Sequence, residues 1–404
     1  GHALHGLRRF GRKKGMENIS IYTIAKEAGV SPATVSRVLT GSARVSEEKR
    51  QRVQALIEKY DFRPNAMAQG LSRVETKMIG LLVSDIRNPF YSNLTVECEA
   101  AAYRRGYLLM VCNSLGDNSV EPYYLNKFYG QRVDAVIQIG GKVDELVPDP
   151  EYVDAVNRMA ERIPFLTTGR LEGADCYRIG IDEEKSMALV MEYLHENGHE
   201  RILLAGGHSA VRSTVDKRRI YREKLKEYGI PVREEYILEG STYDVEDGAG
   251  MMTDFLEKGL QLPTAVIAIN DFTAVGVAHV LRERNIRIPE DISVVSFDNT
   301  FITETCAPQL TSVGYDYHAL GELLIETAVQ AIHGPVIHGP VIHGPVIHGP
   351  AAHGPAGDAP EEKGPEDAVE FSGDAAARRR IPPRVQMIQP ELVIRDSSGK
   401  NCSD

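Results

Sequence analysis

The sequence predicts a small all-α helix-turn-helix headpiece followed by an α/β body of two lobes, each a doubly wound parallel sheet. Three observations predict it. Apolar residues between Ile19 and Tyr60 recur at helical spacing, with Ser, Pro and Gly where helix ends need them. From Lys77 onward, buried-strand patterns alternate with helical ones, twice over, as a parallel sheet covered on both faces requires. The chain's 404 residues are too many for one core.

The headpiece spans 19–62. Ser20 caps a first helix over Ile21–Ala28, and Gly29 closes it. Ser31 caps a second helix that carries Pro32 at its first position and runs to about Leu39. Ile24, Ala25, Ala28, Val30, Val35, Val38 and Leu39 have the spacing to pack the two together. In a helix-turn-helix the second helix enters the major groove. Its outward face carries Pro32, Ala33, Thr34, Ser36 and Arg37. Arg37 can pair with guanine O6 and N7, Pro32 and Ala33 can touch a thymine methyl, and the Tyr22 and Thr34 hydroxyls suit phosphate. An ordinary solvated helical hairpin is the bland alternative. Ser46 opens a third helix to about Tyr60, with acid at its start and base further in.

Residues 63–76 read as a hinge. Pro64 stops the third helix and Asn65 can cap a fourth, through Ala68 to Leu71, too short and Gly-containing to be stable alone. Leu71 can wedge between base steps in a minor groove, or the segment is a plain linker.

Strand patterns then fall at Met78–Val83, Tyr107–Val111, Ala135–Ile139 and Ile163–Thr167, with helical stretches such as Phe90–Arg105 and Ser119–Tyr129 between them. A second series begins near Tyr177, with strands at Arg178–Ile181, Ile202–Ala205, Tyr236–Glu239, Ala265–Ala268 and Ser293–Phe297. Such lobes bind ligands at the carboxyl ends of their strands, in the crevice between them. There, Asp85, Arg170, Asn270, Asp271 and Asp298 can hold the vicinal hydroxyls of a sugar, with Phe90 stacked on its apolar face. They can equally be loop caps and interlobe salt bridges, Asp271 capping the helix that begins near Thr273. Five tandem xxHGP units begin at Ala331, and Pro and Gly in each exclude helix and sheet, so 333–380 reads as a disordered insertion. Its five histidines could bind a metal only weakly, and no metal or cofactor is expected.

Charge divides the same way. Residues 1–73 hold 14 Lys/Arg and 6 Asp/Glu, a net of +8, against 32 and 51 in the remainder, a net of −19. A basic end on an acidic body is the footprint of a nucleic-acid arm on a soluble regulator. Gly1–Gly15, within an N-terminal segment 1–18, is a flexible basic arm or an artefact, because Met16 looks like a natural start. Five unclustered cysteines suit reduced thiols, and no apolar run spans a bilayer, so the expected setting is the cytoplasm with no membrane contact. No Ser/His/Asp set, Cys/His pair or phosphate loop stands out. Gly206-Gly207 falls short of a dinucleotide fingerprint, and no enzyme is expected.

The segments AKEAGVSPATVSRVLTG, VSEEKRQRV and RPNAMAQGL resemble the headpiece and hinge of the LacI/GalR family of bacterial repressors. The resemblance continues through Gly80–Phe90, Thr168-Gly169-Arg170, Ala268–Asp271, Val295–Asp298 and Pro308–Val313. It implies a sensor body like that of periplasmic sugar-binding proteins, crossed three times by the chain. Lobe one would be 77–176 with 308–332, and lobe two 177–307 with 381–396, within a body of 77–404. It implies effector contacts at Arg170 and Asp298, joined by Asp85, Phe90 and Asn270. It also implies DNA contacts by Tyr22, Ser31, Pro32, Ala33, Thr34, Arg37, Ser46, Asn65, Ala68 and Leu71. Lys217 and Ile220 depart from the family's usual Arg and Gly. The expected function is a homodimeric transcription repressor on double-stranded operator DNA, controlled by a small molecule, a sugar, in the cleft. The alternatives are control by a protein co-regulator, or a sugar-binding transport protein.

Overall fold

The computed structural model describes residues 20–39, 45–60, 75–334 and 384–401. The chain divides into two compact units, with the boundary between Thr76 and Lys77.

Among its described residues the N-terminal unit has three helices, α1 (Ile21–Ala28), α2 (Pro32–Leu39) and α3 (Glu47–Lys59). Ser20 accepts from the Thr23 N–H, and Thr23 returns a bond to the Ser20 N–H, so two orphan donors at the start of α1 are satisfied together. Gly29 ends α1 at φ +67°, where a side chain would be strained. Ile24, Ala25, Ala28, Val35, Val38 and Val53 form the core. Glu27 binds α3 from outside, accepting from Lys59 Nζ at 2.8 Å and the Tyr60 hydroxyl at 2.7 Å.

Among its described residues the second unit contains two six-stranded sheets. The first uses β1 (Met78–Val83), β2 (Leu108–Asn113), β3 (Ala135–Ile139), β4 (Phe165–Thr167), β5 (Tyr177–Ile181) and β11 (Val385–Ile388), in the order β11-β5-β4-β3-β1-β2. The second uses β6 (Ile202–Ala205), β7 (Ile237–Leu238), β8 (Ala265–Ala268), β9 (Ser293–Asp298), β10 (Thr311–Gly314) and β12 (Glu391–Val393), in the order β12-β10-β9-β8-β6-β7. Every pairing is parallel except β10 with β12. The near-continuous burial of β1, β3, β6 and β8 follows, because helices cover both faces.

Three segments lie in a different lobe from the sequence reading. Tyr177–Ile181 completes the first sheet, because Leu166 and Thr167 register with Tyr177 and Arg178. Thr311–Gly314 joins the second, in register with Val295–Asp298. The C-terminal segment gives a strand to each sheet instead of one to the second lobe. Between β10 and β12 the helix Tyr317–His333 returns to the first lobe and packs on the helix Pro89–Arg104. Gly321 permits that contact: a Cβ there would lie 2.6 Å from Glu97 Cβ. The chain thus crosses between lobes after β5, after β10 and after β11, and those crossings floor the crevice.

Candidate functional site

On the headpiece, the side chains predicted to face DNA sit at or near the start of α2. Ser31, Pro32, Ala33 and Arg37 are exposed, Thr34 is half-buried, and Tyr22 on α1 is 71% exposed. Ser31 accepts from the Thr34 N–H at 3.2 Å, and the two hydroxyls lie 3.0 Å apart. Ser31 is therefore a helix cap first, and both hydroxyls are held in fixed directions. Ser46 precedes α3 and is exposed, but its side chain makes no capping bond. Asn65, Ala68 and Leu71 lie outside the described residues, as do 1–19 and the insertion through 383.

On the body, Asp85, Phe90, Arg170, Asn270 and Asp298 all line one cleft of about 910 Å³, with walls from both lobes. Each follows from its place in the fold. Asp85 stands just past β1 and is gripped by Arg87, whose Nε and Nη2 donate at 2.9 and 2.6 Å. That pairing holds the carboxyl below its ordinary range. Asn88 caps the next helix, which fixes Phe90 in its first turn. Phe90 meets Tyr91, Tyr315 and Tyr317 edge-on at 5.2, 6.4 and 5.8 Å, an aromatic wall with an apolar face. Arg170 is 54% exposed and lies 3.3 Å from Glu172.

In the second lobe, Asn270 is the helix cap, the role the sequence left open for Asp271. Its Oδ1 accepts from the Thr273 N–H at 2.8 Å and its Nδ2 donates to the Tyr243 carbonyl at 2.9 Å. One amide proton and one lone pair remain for another partner. Asp271 is buried, accepting from Ser296, Ser312 and both groups of Thr300 at 2.6–2.9 Å. It belongs to the interior of the lobe. Asp298 ends β9 at φ +96°, a conformation rare for a non-glycine residue and one that turns up at ligand sites. Burial and the nearby Asp271 carboxylate push its carboxyl well above the ordinary range, while Lys217 opposes them.

Lys217, a position where the sequence departs from the family's pattern, also lines the cleft, and Arg218 next to it lies behind the wall. Lys217 is buried; burial works against its charge, but an ion pair with Glu183 prevails and holds its pKa above the usual value. Its Nζ also lies 5.0 Å from the Phe297 ring. Arg218 is structural: it donates to the carbonyls of Gly206 and Gly207 at 3.2 and 2.9 Å and to Glu239 at 2.5 Å. Across the cleft mouth, the lobes are fastened by backbone as well as side chains. The Leu146 N–H donates to the Ala210 carbonyl at 2.7 Å, Arg212 donates to the Leu146 carbonyl at 2.9 Å, and Ser213 donates to Asp144 at 2.5 Å. Burial raises the Asp144 carboxyl to about 6.

Residues 20–65 match bacterial regulatory proteins of the lacI family, and residues 191–348 match a periplasmic binding protein-like domain. Catabolite control protein A of Priestia megaterium is 32% identical over 308 residues, covering 75% of this chain and 90% of that protein. The chain belongs to the LacI family of bacterial regulatory proteins. The HTH-type transcriptional regulator DegA of Bacillus subtilis (strain 168) is 30% identical over 319 residues, 78% of this chain and 92% of its own. The solved lac repressor dimer bound to operator and the anti-inducer ONPF superposes with a TM-score of 0.72 at 22% identity, covering 95% of this chain and 99% of that one. A CelR–cellobiose complex superposes at 0.60 and 23% identity, covering 94% and 100%. At these identities the superpositions speak to fold alone.

As a LacI-family member, the chain is a DNA-binding transcription regulator and not an enzyme. No helix among the described residues is long and apolar enough to cross a membrane. The Gly206-Gly207 pair, set aside above as a nucleotide loop, is explained by the Arg218 clamp. Gly207 has φ +80°, and a Cβ there would meet Thr214 at 2.6 Å.

Proposed function

We propose that this LacI-family regulator is a cytoplasmic homodimeric repressor whose affinity for a pseudo-palindromic operator is set by a carbohydrate-class small molecule in the interlobe cleft. The observation that carries the reading is the company the cleft keeps. Groups able to pair with hydroxyls, from Asp85, Arg170, Asn270 and Asp298, share walls with an aromatic face, in a volume suited to a small ligand. The same chain carries a helix-turn-helix with exposed residues at the start of α2. In this reading Arg37 pairs with a guanine edge, Pro32 and Ala33 meet a thymine methyl, and Tyr22, Ser31, Thr34 and Ser46 position the phosphates. Asn65, Ala68 and Leu71 form the minor-groove hinge. Two-fold symmetry of the dimer is mirrored in the half-sites. No cofactor takes part.

A ligand that binds one lobe angle better than another shifts the lobe equilibrium by its difference in affinity. The Asp144–Ser213 and Leu146–Ala210 bonds are the contacts such a shift would make or break. The test is a selection of bound duplexes from random sequence, followed by anisotropy titration of the winner with and without a sugar panel. The reading expects a two-fold-related site and a sugar that changes its affinity. A selected site without symmetry, or affinity indifferent to every sugar, refutes it.

A further inference from the structure

If the interlobe cleft is the effector site, as proposed above, one group in it is unsuited to a neutral ligand. Arg178 lies on β5 opposite Thr167, at the level where β4 ends, and lines the cleft. It is half-buried. Its Nε is buried without a hydrogen-bond partner, and its guanidinium bonds to no described residue. A buried donor without an acceptor is costly, and a guanidinium carries five. Its electrostatic surroundings are mixed: burial and the neighbouring Arg170 weaken its charged form, and Asp144, Asp216 and Glu183 favour it. Two of these acids are committed elsewhere, Asp144 to Ser213 and Glu183 to Lys217.

Asp298 is the counterpart. Its backbone carbonyl accepts from the Tyr317 hydroxyl at 2.8 Å, but its side-chain carboxyl group makes no hydrogen bond with a described residue. The cleft therefore offers a planar fork of donors beside a second arginine on one lobe, and an open acceptor on the other. Of the other carboxylates lining the cleft, Asp85 pairs with Arg87, Glu145 with Lys142 and Glu184 with Arg219, and Asp182 and Asp244 cap helices; Asp216 and Glu246 bond to no described residue and are the acids an anionic ligand must outcompete at the fork.

We propose that the effector is an anionic polyol: a small hydroxylated molecule whose carboxylate or phosphate sits against Arg178 and Arg170 while its hydroxyls meet Asp298. A guanidinium matches either oxyanion with two parallel bonds, and charge-assisted bonds are about twice as strong as neutral ones. The acid thus sets specificity, and the hydroxyls set orientation.

The experiment is calorimetry on the full-length protein with matched sets: glucose, glucuronate, glucose 6-phosphate and glucosamine, and the corresponding ribose, galactose and mannose series. The expected result is that a sugar acid or sugar phosphate binds at least about tenfold more tightly than its neutral parent. The better of the two arms separates carboxylate from phosphate. Arg178→Gln should abolish that margin and leave the affinity for the neutral parent in place. Arg178→Lys, which keeps the charge but not the fork, should fall between, and it serves if the Gln variant does not fold. Neutral sugars binding as well as their acids, amino sugars binding best, or a margin that survives Arg178→Gln overturns the proposal but leaves a sugar-class effector standing. Binding by no member of any set overturns both.

Discussion

Replacing Glu121 with Gln should make the body more stable at pH 8. Glu121 begins the helix Glu121–Gln131, is 1% exposed, and supports the loop that leads to the interlobe fastening. Its Oε2 accepts from Gln138 Nε2 at 2.7 Å and from the Lys142 N–H at 3.1 Å. The Tyr152 hydroxyl, donating to Gln138 Oε1 at 2.5 Å, fixes which way that amide points. Burial lifts the Glu121 carboxyl from an ordinary 4.5 to about 7, although both of those bonds favour the ionised form. Below pH 4.5 folded and unfolded chains both hold the proton. Between 4.5 and 7 only the unfolded chain releases it, so stability falls as pH rises and then levels off. At about 1.4 kcal/mol per tenfold, keeping this carboxylate buried at pH 8 costs roughly 3 kcal/mol. A glutamine oxygen accepts the same two bonds without the charge, and its amide can face Ser114 Oγ, 3.5 Å from Oε1 in the wild type. Urea unfolding at pH 5, 6, 7 and 8, followed by circular dichroism, measures the difference. The variant should be nearly level with wild type at pH 5 and ahead by up to about 3 kcal/mol at pH 8. Asp144, displaced in the same direction, cancels in the subtraction. A variant that is no more stable at pH 8, or a gap that does not grow with pH, would show that the buried Glu121 charge is not what weakens the body.

Arg37→Ala should weaken operator binding by about 1–3 kcal/mol and relax the choice at one base pair, read by gel-shift titration against single-position variants of the site. Gly29→Ala, at φ +67°, should destabilise the headpiece by about 1–2 kcal/mol, seen as faster amide exchange in α1 and α2. Ser213→Ala leaves the Asp144 carboxyl without its hydroxyl donor, and should cost about 1–3 kcal/mol in urea unfolding at pH 8. That loss should shrink below pH 6, where Asp144 takes up a proton.

Local chemistry was the legible part of this sequence. Ser20, Gly29 and Pro32 mark helix ends by backbone rules that operate within a few residues, and they lie where those rules put them. The central strands of both lobes were legible because burial on two faces leaves runs of Val, Ile and Leu, whereas Thr311–Gly314 and Val385–Ile388 were not read as strands. Lobe membership was not legible: β5 and β10 look alike as sequence, and only their pairing, Tyr177 with Leu166 and Thr311 with Val295, assigns them. The cleft residues at strand ends could be read because topology fixes where ligands go. The bonds that use those residues could not. Asn270 capping its own helix and Asp271 turned inward are alternatives one residue apart. Asp144 meets Ser213, 69 positions away, only when the two lobes come together, and Lys217 meets Glu183, 34 away, only when two helices of the second lobe pack.

In the proposed function, ligand binding in the cleft and operator binding by the headpiece are coupled through one free energy. Linkage makes it directly measurable, since the factor by which a cleft ligand changes operator affinity must equal the factor by which operator changes ligand affinity. Calorimetry of the ligand selected from the sugar panel, run on the protein alone and on the protein saturated with operator, gives the second factor. The expected shift is about 5- to 150-fold and equal to that found in the anisotropy titration. Identical ligand affinity in the two titrations would contradict it.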